Sequence, residues 1–226
     1  MHILHVVGAR PNFMKVAPII TAFNAYRQVK QTLVHTGQHY DTNMSEVFFK
    51  QLSIPEPDIN LEVGSGSHAV QTAQIMMRFE ELVIESKPDY VLVYGDINST
   101  VAAALVCDKL WIPIAHVEAG LRSGDRTMPE EINRRIIDQV SNILLAPTKF
   151  DYNNLKKENL VNEKKVYITG NTITDIIKIS LKKIKHNKIL QTLNLKKKLY
   201  YLVTIHRPEN TNNLKKLKEI ITNLDK

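Results

Sequence analysis

The sequence predicts an α/β fold, a parallel sheet covered by helices. Three observations carry that expectation. Short apolar runs rich in Val and Ile alternate with longer amphipathic runs along the chain. The short runs are continuously apolar rather than alternating, as strands buried on both faces are. Polar, charged and glycine residues follow almost every short run at once, where α/β sheets place their ligand sites.

The strand candidates, in order, are Ile3–Val7, Thr32–His35, Tyr90–Tyr94, Ile112–Val117, Ile143–Ala146, Val166–Thr169 and Tyr200–Ile205. Helical patterns lie between them. One starts at Pro11, a residue suited to a first helical turn. A second runs from about Ser67 to Ser86, where Lys87-Pro88 stops it. Others cover roughly Thr100–Leu110, Glu130–Ser141 and Asp151–Glu158. A boundary is expected near Thr169-Gly170-Asn171. Beyond it a long polar helix leads to the strand Tyr200–Ile205 and a helical pattern from Asn213. Two such elements cannot bury a core of their own, so the sequence reads as the front of a longer enzyme.

Composition narrows the class. The chain has 226 residues, 43% of them hydrophobic, enough for a real core. No apolar run reaches the length of a membrane span. The N-terminus, MHILHVVGAR, reads as a buried strand rather than a signal peptide. The single cysteine, Cys107, leaves no internal disulfide. Together these predict a cytoplasmic protein. The net charge of +7 is uneven: residues 1–150 carry 13 basic and 16 acidic side chains, residues 151–226 carry 17 and 7. The basic tail lacks interleaved aromatics and any nucleic-acid module signature, so it reads as a solvated helix face and not a nucleic-acid site.

Candidate chemistry sits at the strand ends. Gly8-Ala9-Arg10-Pro11 joins a tight turn to a helix start, with Arg10 and Lys15 adding positive charge. It fits a diphosphate site or a plain βα turn with two surface bases. Thr36-Gly37-Gln38-His39-Tyr40-Asp41 fits a ligand contact or a polar loop. Asp96, after Tyr90–Tyr94, fits a catalytic carboxylate over the crevice or a cap of the next helix. Glu118 ends Ile112–Val117 with no cap role, shares strand parity with His116, and has Arg122 near to balance it. Glu130 and Glu131 open a helix, where the dipole alone accounts for two carboxylates and a third acid at the crevice is the alternative. His206 and Arg207 end the last strand candidate. Three acids on successive loops, without a Cys/His ligand cluster, point to metal-free acid–base chemistry. No serine-hydrolase elbow is present.

The stretches GARPNFMKVAPI, HTGQHYD, GDINST, HVEAGLRS, MPEEINR, TGNTITD and HRPEN occur in this order. In this set the sequence resembles the non-hydrolysing UDP-N-acetylglucosamine 2-epimerases. A narrower likeness, in HTGQHYDTNMSEVFF and IPEPDINLEVGSGSHAVQT, is to the branch acting on UDP-2,3-diacetamido-2,3-dideoxyglucuronate. The resemblance implies two Rossmann-like domains of GT-B type with a cleft between them. Residues 1–170 would be the catalytic domain, and residues 171–226 the start of the nucleotide-binding one. It implies a homodimer, no cofactor, no metal, and a UDP-sugar substrate inverted at C2 by loss and re-addition of UDP. Carried over residue by residue, the catalytic set is Asp96, Glu118, Glu130 and His206. The binding set is Arg10, Lys15, Gln38, His39, Arg122, Arg134 and Arg207. A glycosyltransferase of the same architecture is the rival reading, as is a non-catalytic fragment.

Overall fold

The computed structural model describes residues 1–38, 55–184, 187–205 and 208–225, the side chains of Arg10, Lys182, Lys183, Pro208 and Glu209 excepted. Contacts divide the chain into two compact units, Met1–Leu181 and Lys182–Lys226. The division falls inside a helix.

The first unit opens with β1 (His2–Val7), α1 (Arg10–Phe23), β2 (Lys30–His35), β3 (Ile59–Asn60) and α2 (His68–Ser86). It continues with β4 (Tyr90–Tyr94), α3 (Asn98–Lys109), β5 (Ile114–Val117), α4 (Pro129–Val140), β6 (Ile143–Ala146), α5 (Lys149–Lys157) and β7 (Lys165–Ile168). Helix α6 (Thr172–Ile184) follows. The strands form one seven-stranded sheet in the order β3-β2-β1-β4-β5-β6-β7, and every pair is parallel. The Rossmann-like α/β expectation therefore holds. Strand order reverses between β1 and β4, so the crevice at their carboxyl ends is where such sheets bind ligands.

The two-residue period of β1 sorts the core. Leu4 and Val6 pack with Ile75, Phe79 and Val83 of α2, with α3, and with Ile137 of α4. Ile3 and Val7 pack on the other face with Phe13, Val16, Ala17 and Ile20 of α1 and with Ile176 of α6. Helices thus cover both faces, which is why the strands are apolar throughout. Within that core Cys107 is buried, and burial, helped by Asp108, pushes its thiol up to about 12.

The helix ends follow local chemistry. Ser67 caps α2 by accepting from the Val70 amide at 3.4 Å. Lys87 closes it in the left-handed conformation ahead of Pro88, as the Lys-Pro stop predicts.

Two elements differ from the expectation. Strand β3 has two residues, too short to leave a periodic signal in the sequence. Tyr200–Ile205 is not a strand: no described residue pairs with it, and Tyr201 and Leu202 are 98% and 88% exposed. An apolar β-branched run becomes a strand only when a neighbouring strand takes up its amides and carbonyls, and no described neighbour does so here. The second unit contains α7 (Ile189–Thr192), α8 (Pro208–Thr211) and α9 (Leu214–Leu224). Asn213 caps α9 by accepting from the Lys215 and Lys216 amides, the start its sequence pattern predicts.

Candidate active site

The loop after β1 is built for close approach. A Cβ on Gly8 would lie 2.0 Å from Ser99 Oγ and 2.6 Å from Thr36 Oγ1. Only glycine lets the loops after β1, β2 and β4 meet here, and the Thr36 and Ser99 hydroxyls bond each other at 2.7 Å. Asn12 organises the turn. Its Oδ1 accepts from the Gly8 and Ala9 amides at 3.2 and 3.3 Å, and its Nδ2 donates to the Tyr94 carbonyl. Those two amides therefore serve the turn itself. Lys15, on α1, adds positive charge near this turn. Sequence reasoning missed Asn12; its place two residues after the Gly8-Ala9-Arg10 turn was the available signal.

Lys15 Nζ pairs with Glu118 Oε2, both side chains mostly buried. The pair lies over Gly95, whose added Cβ would sit 2.6 Å from Nζ and 3.4 Å from Oε2. Gly95 adopts φ +66, so a side chain there would be strained as well as crowded. Glu118 is itself left-handed, with φ +76, uncommon for a residue with a side chain and often found at functional positions. Its amide and that of Ala119 both donate to the Leu145 carbonyl at 3.1 Å. This twist corrects the parity expectation. His116 meets Asp138 on α4, whereas Glu118 meets Lys15 on α1, because the alternation ends where φ changes sign. It is also Lys15, not Arg122, that balances Glu118.

Asp96 does not cap α3. The N-cap is Ile97, without a side-chain bond, and the Ser99 amide is taken by Gln38 Oε1 at 3.0 Å. The Asp96 carboxylate instead accepts from Arg134 Nε and Nη2 through one oxygen, at 2.8 and 2.7 Å. Its carbonyl accepts from Asn133 Nδ2 at 2.8 Å.

The two glutamates that open α4 part company. Glu131 is fully buried and accepts from the Ser123 amide and hydroxyl and from Arg134 and Arg135. Burial opposes its charge, but those bonds prevail and hold its carboxyl below the usual range. Glu130 instead lines a cavity of roughly 260 Å³ together with Asp96, Gln38, His68, Gln71 and Asn133. Among the described residues no hydrogen bond or ion pair engages the Glu130 carboxylate.

Arg122 is committed inward. It donates to both oxygens of Glu158 at 2.8 and 2.6 Å, to the Leu121 carbonyl, and to Asp138 at 2.8 Å. Burial works against its charge, yet these acceptors raise its pKa above the ordinary value. His39, His206 and Arg207 lie outside the described residues, and of Arg10 only the backbone, opening α1, is described. The structure adds His68, which bonds Asn98, and Gln71, which donates to the Gln38 and Gly64 carbonyls. Both stand in the first turn of α2, a helix the sequence placed without showing which of its residues face the crevice.

The arrangement is thus a set of carboxylates at the carboxyl ends of β4 and β5 and the start of α4. Asp96 and Glu118 each bear a cationic partner, and Glu130 faces an open cavity. A profile of the family described as UDP-N-acetylglucosamine 2-epimerase matches residues 21–226. The chain belongs to the UDP-N-acetylglucosamine 2-epimerase family.

It is 49% identical, over 98% of its length, to a UDP-N-acetylglucosamine 2-epimerase homolog of Methanococcus maripaludis, and covers 61% of that relative. It is 42% identical, over all its length, to the UDP-2,3-diacetamido-2,3-dideoxy-D-glucuronate 2-epimerase of Pseudomonas aeruginosa, covering 63% of it. Among solved structures, the Methanocaldococcus jannaschii UDP-GlcNAc 2-epimerase in complex with UDP-GlcNAc and UDP matches with a TM-score of 0.89 at 41% identity. That match covers 99% of this chain and 62% of the other. The chain spans about three fifths of the length of these relatives. No helix among the described residues is long and apolar enough to cross a membrane.

Proposed function

We propose that this epimerase-family chain supplies the acid–base chemistry of a nucleotide-sugar 2-epimerase that converts UDP-GlcNAc to UDP-ManNAc. The observation that carries the reading is the grouping of Asp96, Glu118 and Glu130 on three loops of one sheet edge, two of them held beside cations. In this reading residues 1–170 are the catalytic domain, and residues 171–226 open the nucleotide-binding domain. The protein works in the cytoplasm as a homodimer, without cofactor, metal or nucleic acid, making precursors of surface polysaccharide.

The C2 proton of the sugar is weakly acidic and needs a positioned acceptor. One carboxylate removes it as UDP leaves from C1, giving a glycal. A second acid delivers a proton to the opposite face while UDP adds back. Two acids on opposite faces of the sugar suit this task, and the carboxylates differ in their partners, Arg134 for Asp96, Lys15 for Glu118 and none among the described residues for Glu130. Lys15, with Arg10 and His206, stabilises the departing diphosphate.

A second reading, C2 inversion of UDP-2,3-diacetamido-2,3-dideoxyglucuronate, is favoured by the identity with the Pseudomonas aeruginosa enzyme. Incubation of the protein with each nucleotide sugar, followed by proton NMR of the products, tests both. A manno product from UDP-GlcNAc supports the first reading. Inversion of the diacetamido substrate alone supports the second, and conversion of neither refutes both.

A further inference from the structure

A buried carboxylate outside the three candidate acids joins two of the loops that carry them. Asp138, on α4, is fully buried. Its Oδ1 meets His116 Nδ1 at 2.7 Å. Its Oδ2 accepts from the Gly120 amide at 3.0 Å and from Arg122 at 2.8 Å. His116, equally buried, meets the Gly95 carbonyl through Nε2 at 2.9 Å. A carboxylate and a carbonyl only accept, so each ring nitrogen of His116 faces an acceptor. Burial opposes the charge on Asp138, but His116 and then Arg122, by charge and hydrogen bond, hold its carboxyl below the usual range.

Burying a carboxylate this way carries a desolvation cost that an apolar residue of similar volume would avoid. What the pair gains is geometry. Gly95 immediately precedes Asp96, and its peptide is gripped on both sides, its N–H by the Val117 carbonyl at 3.1 Å and its C=O by His116. Gly120 lies two residues after Glu118, with φ +83, and its amide is fixed by Asp138. One buried carboxylate therefore ties the loop that carries Asp96 to the loop that carries Glu118. We infer that Asp138 and His116 are positioning residues that set the spacing of the Asp96 and Glu118 carboxylates. This rests on the epimerase reading for its catalytic consequence, but not for its geometry.

Two measurements on the intact protein test it. With nitrogen-15 labelled histidine, the His116 ring nitrogens are expected to show hydrogen bonds to Asp138 and to the Gly95 carbonyl, and Asp138→Asn is expected to weaken the first. No hydrogen bond from the His116 ring to the Gly95 carbonyl in the unaltered protein overturns the inference. In epimerisation of UDP-GlcNAc, Asp138→Asn and His116→Leu are expected to lower kcat about 100-fold with KM little changed, since a displacement of about 1 Å costs that much. His116→Gln, which keeps a donor for the Gly95 carbonyl, is expected to recover much of the loss. Rates are taken per folded molecule, with the folded fraction read from thermal melts. A kcat within twofold of the unaltered protein in folded Asp138→Asn and His116→Leu overturns the inference. If the unaltered protein epimerises nothing, the functional reading fails and geometry alone decides. Unmoved Asp96 and Glu118 amide resonances in Asp138→Asn then overturn the positioning, and displaced ones sustain it.

Discussion

His5 offers a sharp test of how the sheet is held together. It lies in the middle of β1, fully buried. Its Nε2 faces Gln31 Oε1 at 3.1 Å and its Nδ1 faces the Tyr94 hydroxyl at 2.6 Å. A neutral ring satisfies both, donating to Gln31 and accepting from Tyr94. Burial lowers its pKa from 6.5 to about 4, the Gln31 bond opposing this. The folded state thus binds fewer protons than the unfolded state between those values. Stability present above the unfolded pKa is lost as pH falls from there through the folded pKa. At pH ~5 the unfolded chain is almost fully protonated at this site and the folded one almost not, so His5 alone removes about 2 kcal/mol relative to pH ~8. The assay is urea unfolding followed by circular dichroism across that range, for the unaltered protein and for His5→Gln, which does not titrate. The two curves are expected to converge by about 2 kcal/mol on acidification. Parallel curves would refute the assignment of a neutral, buried ring.

Other positions give further expectations. Asp96→Asn or Glu118→Gln is expected to lower epimerase turnover at least ~100-fold, as loss of a positioned acid or base does; near-normal steady-state rates in both variants would contradict the assignment. Gly120→Ala places a Cβ 2.5 Å from the Asp151 carbonyl at φ +83, and combined backbone strain and overpacking are expected to cost about 2–5 kcal/mol in chemical denaturation. Glu131→Gln exchanges an acceptor for a donor against Ser123, Arg134 and Arg135 and is expected to cost about 2–3 kcal/mol, whereas Glu130→Gln, at the cavity wall, is expected to leave the melting temperature nearly unchanged.

Much of the first unit was legible in the sequence because its signals are local. Strands buried on both faces read as continuous apolar runs, and six of the seven strand candidates became strands within a residue or two at each end. The Lys87-Pro88 stop and the Ser67 and Asn213 caps are likewise local. The exception, Tyr200–Ile205, shows the limit: an apolar run specifies a strand only when a partner is beside it. The site was legible as a set of acids at strand ends but not as a set of pairs. Lys15 with Glu118 and Arg134 with Asp96 each join a helix residue to a strand-end residue distant in sequence, and the strand order brings them together. The parity shared by His116 and Glu118 misled because one left-handed residue reverses it. The two buried histidines show the same limit. His5 and His116 look alike in sequence, yet one ring meets an amide oxygen and a hydroxyl, and the other a carboxylate and a carbonyl.

The most direct test of the proposed chemistry is to incubate the protein with UDP-GlcNAc in D2O and follow the C2 proton by NMR. Removal and return of that proton by the carboxylates predicts that its signal disappears as deuterium enters C2 and a manno product accumulates. A manno product that keeps its original C2 proton, or a C2 signal that persists with no product, would contradict it.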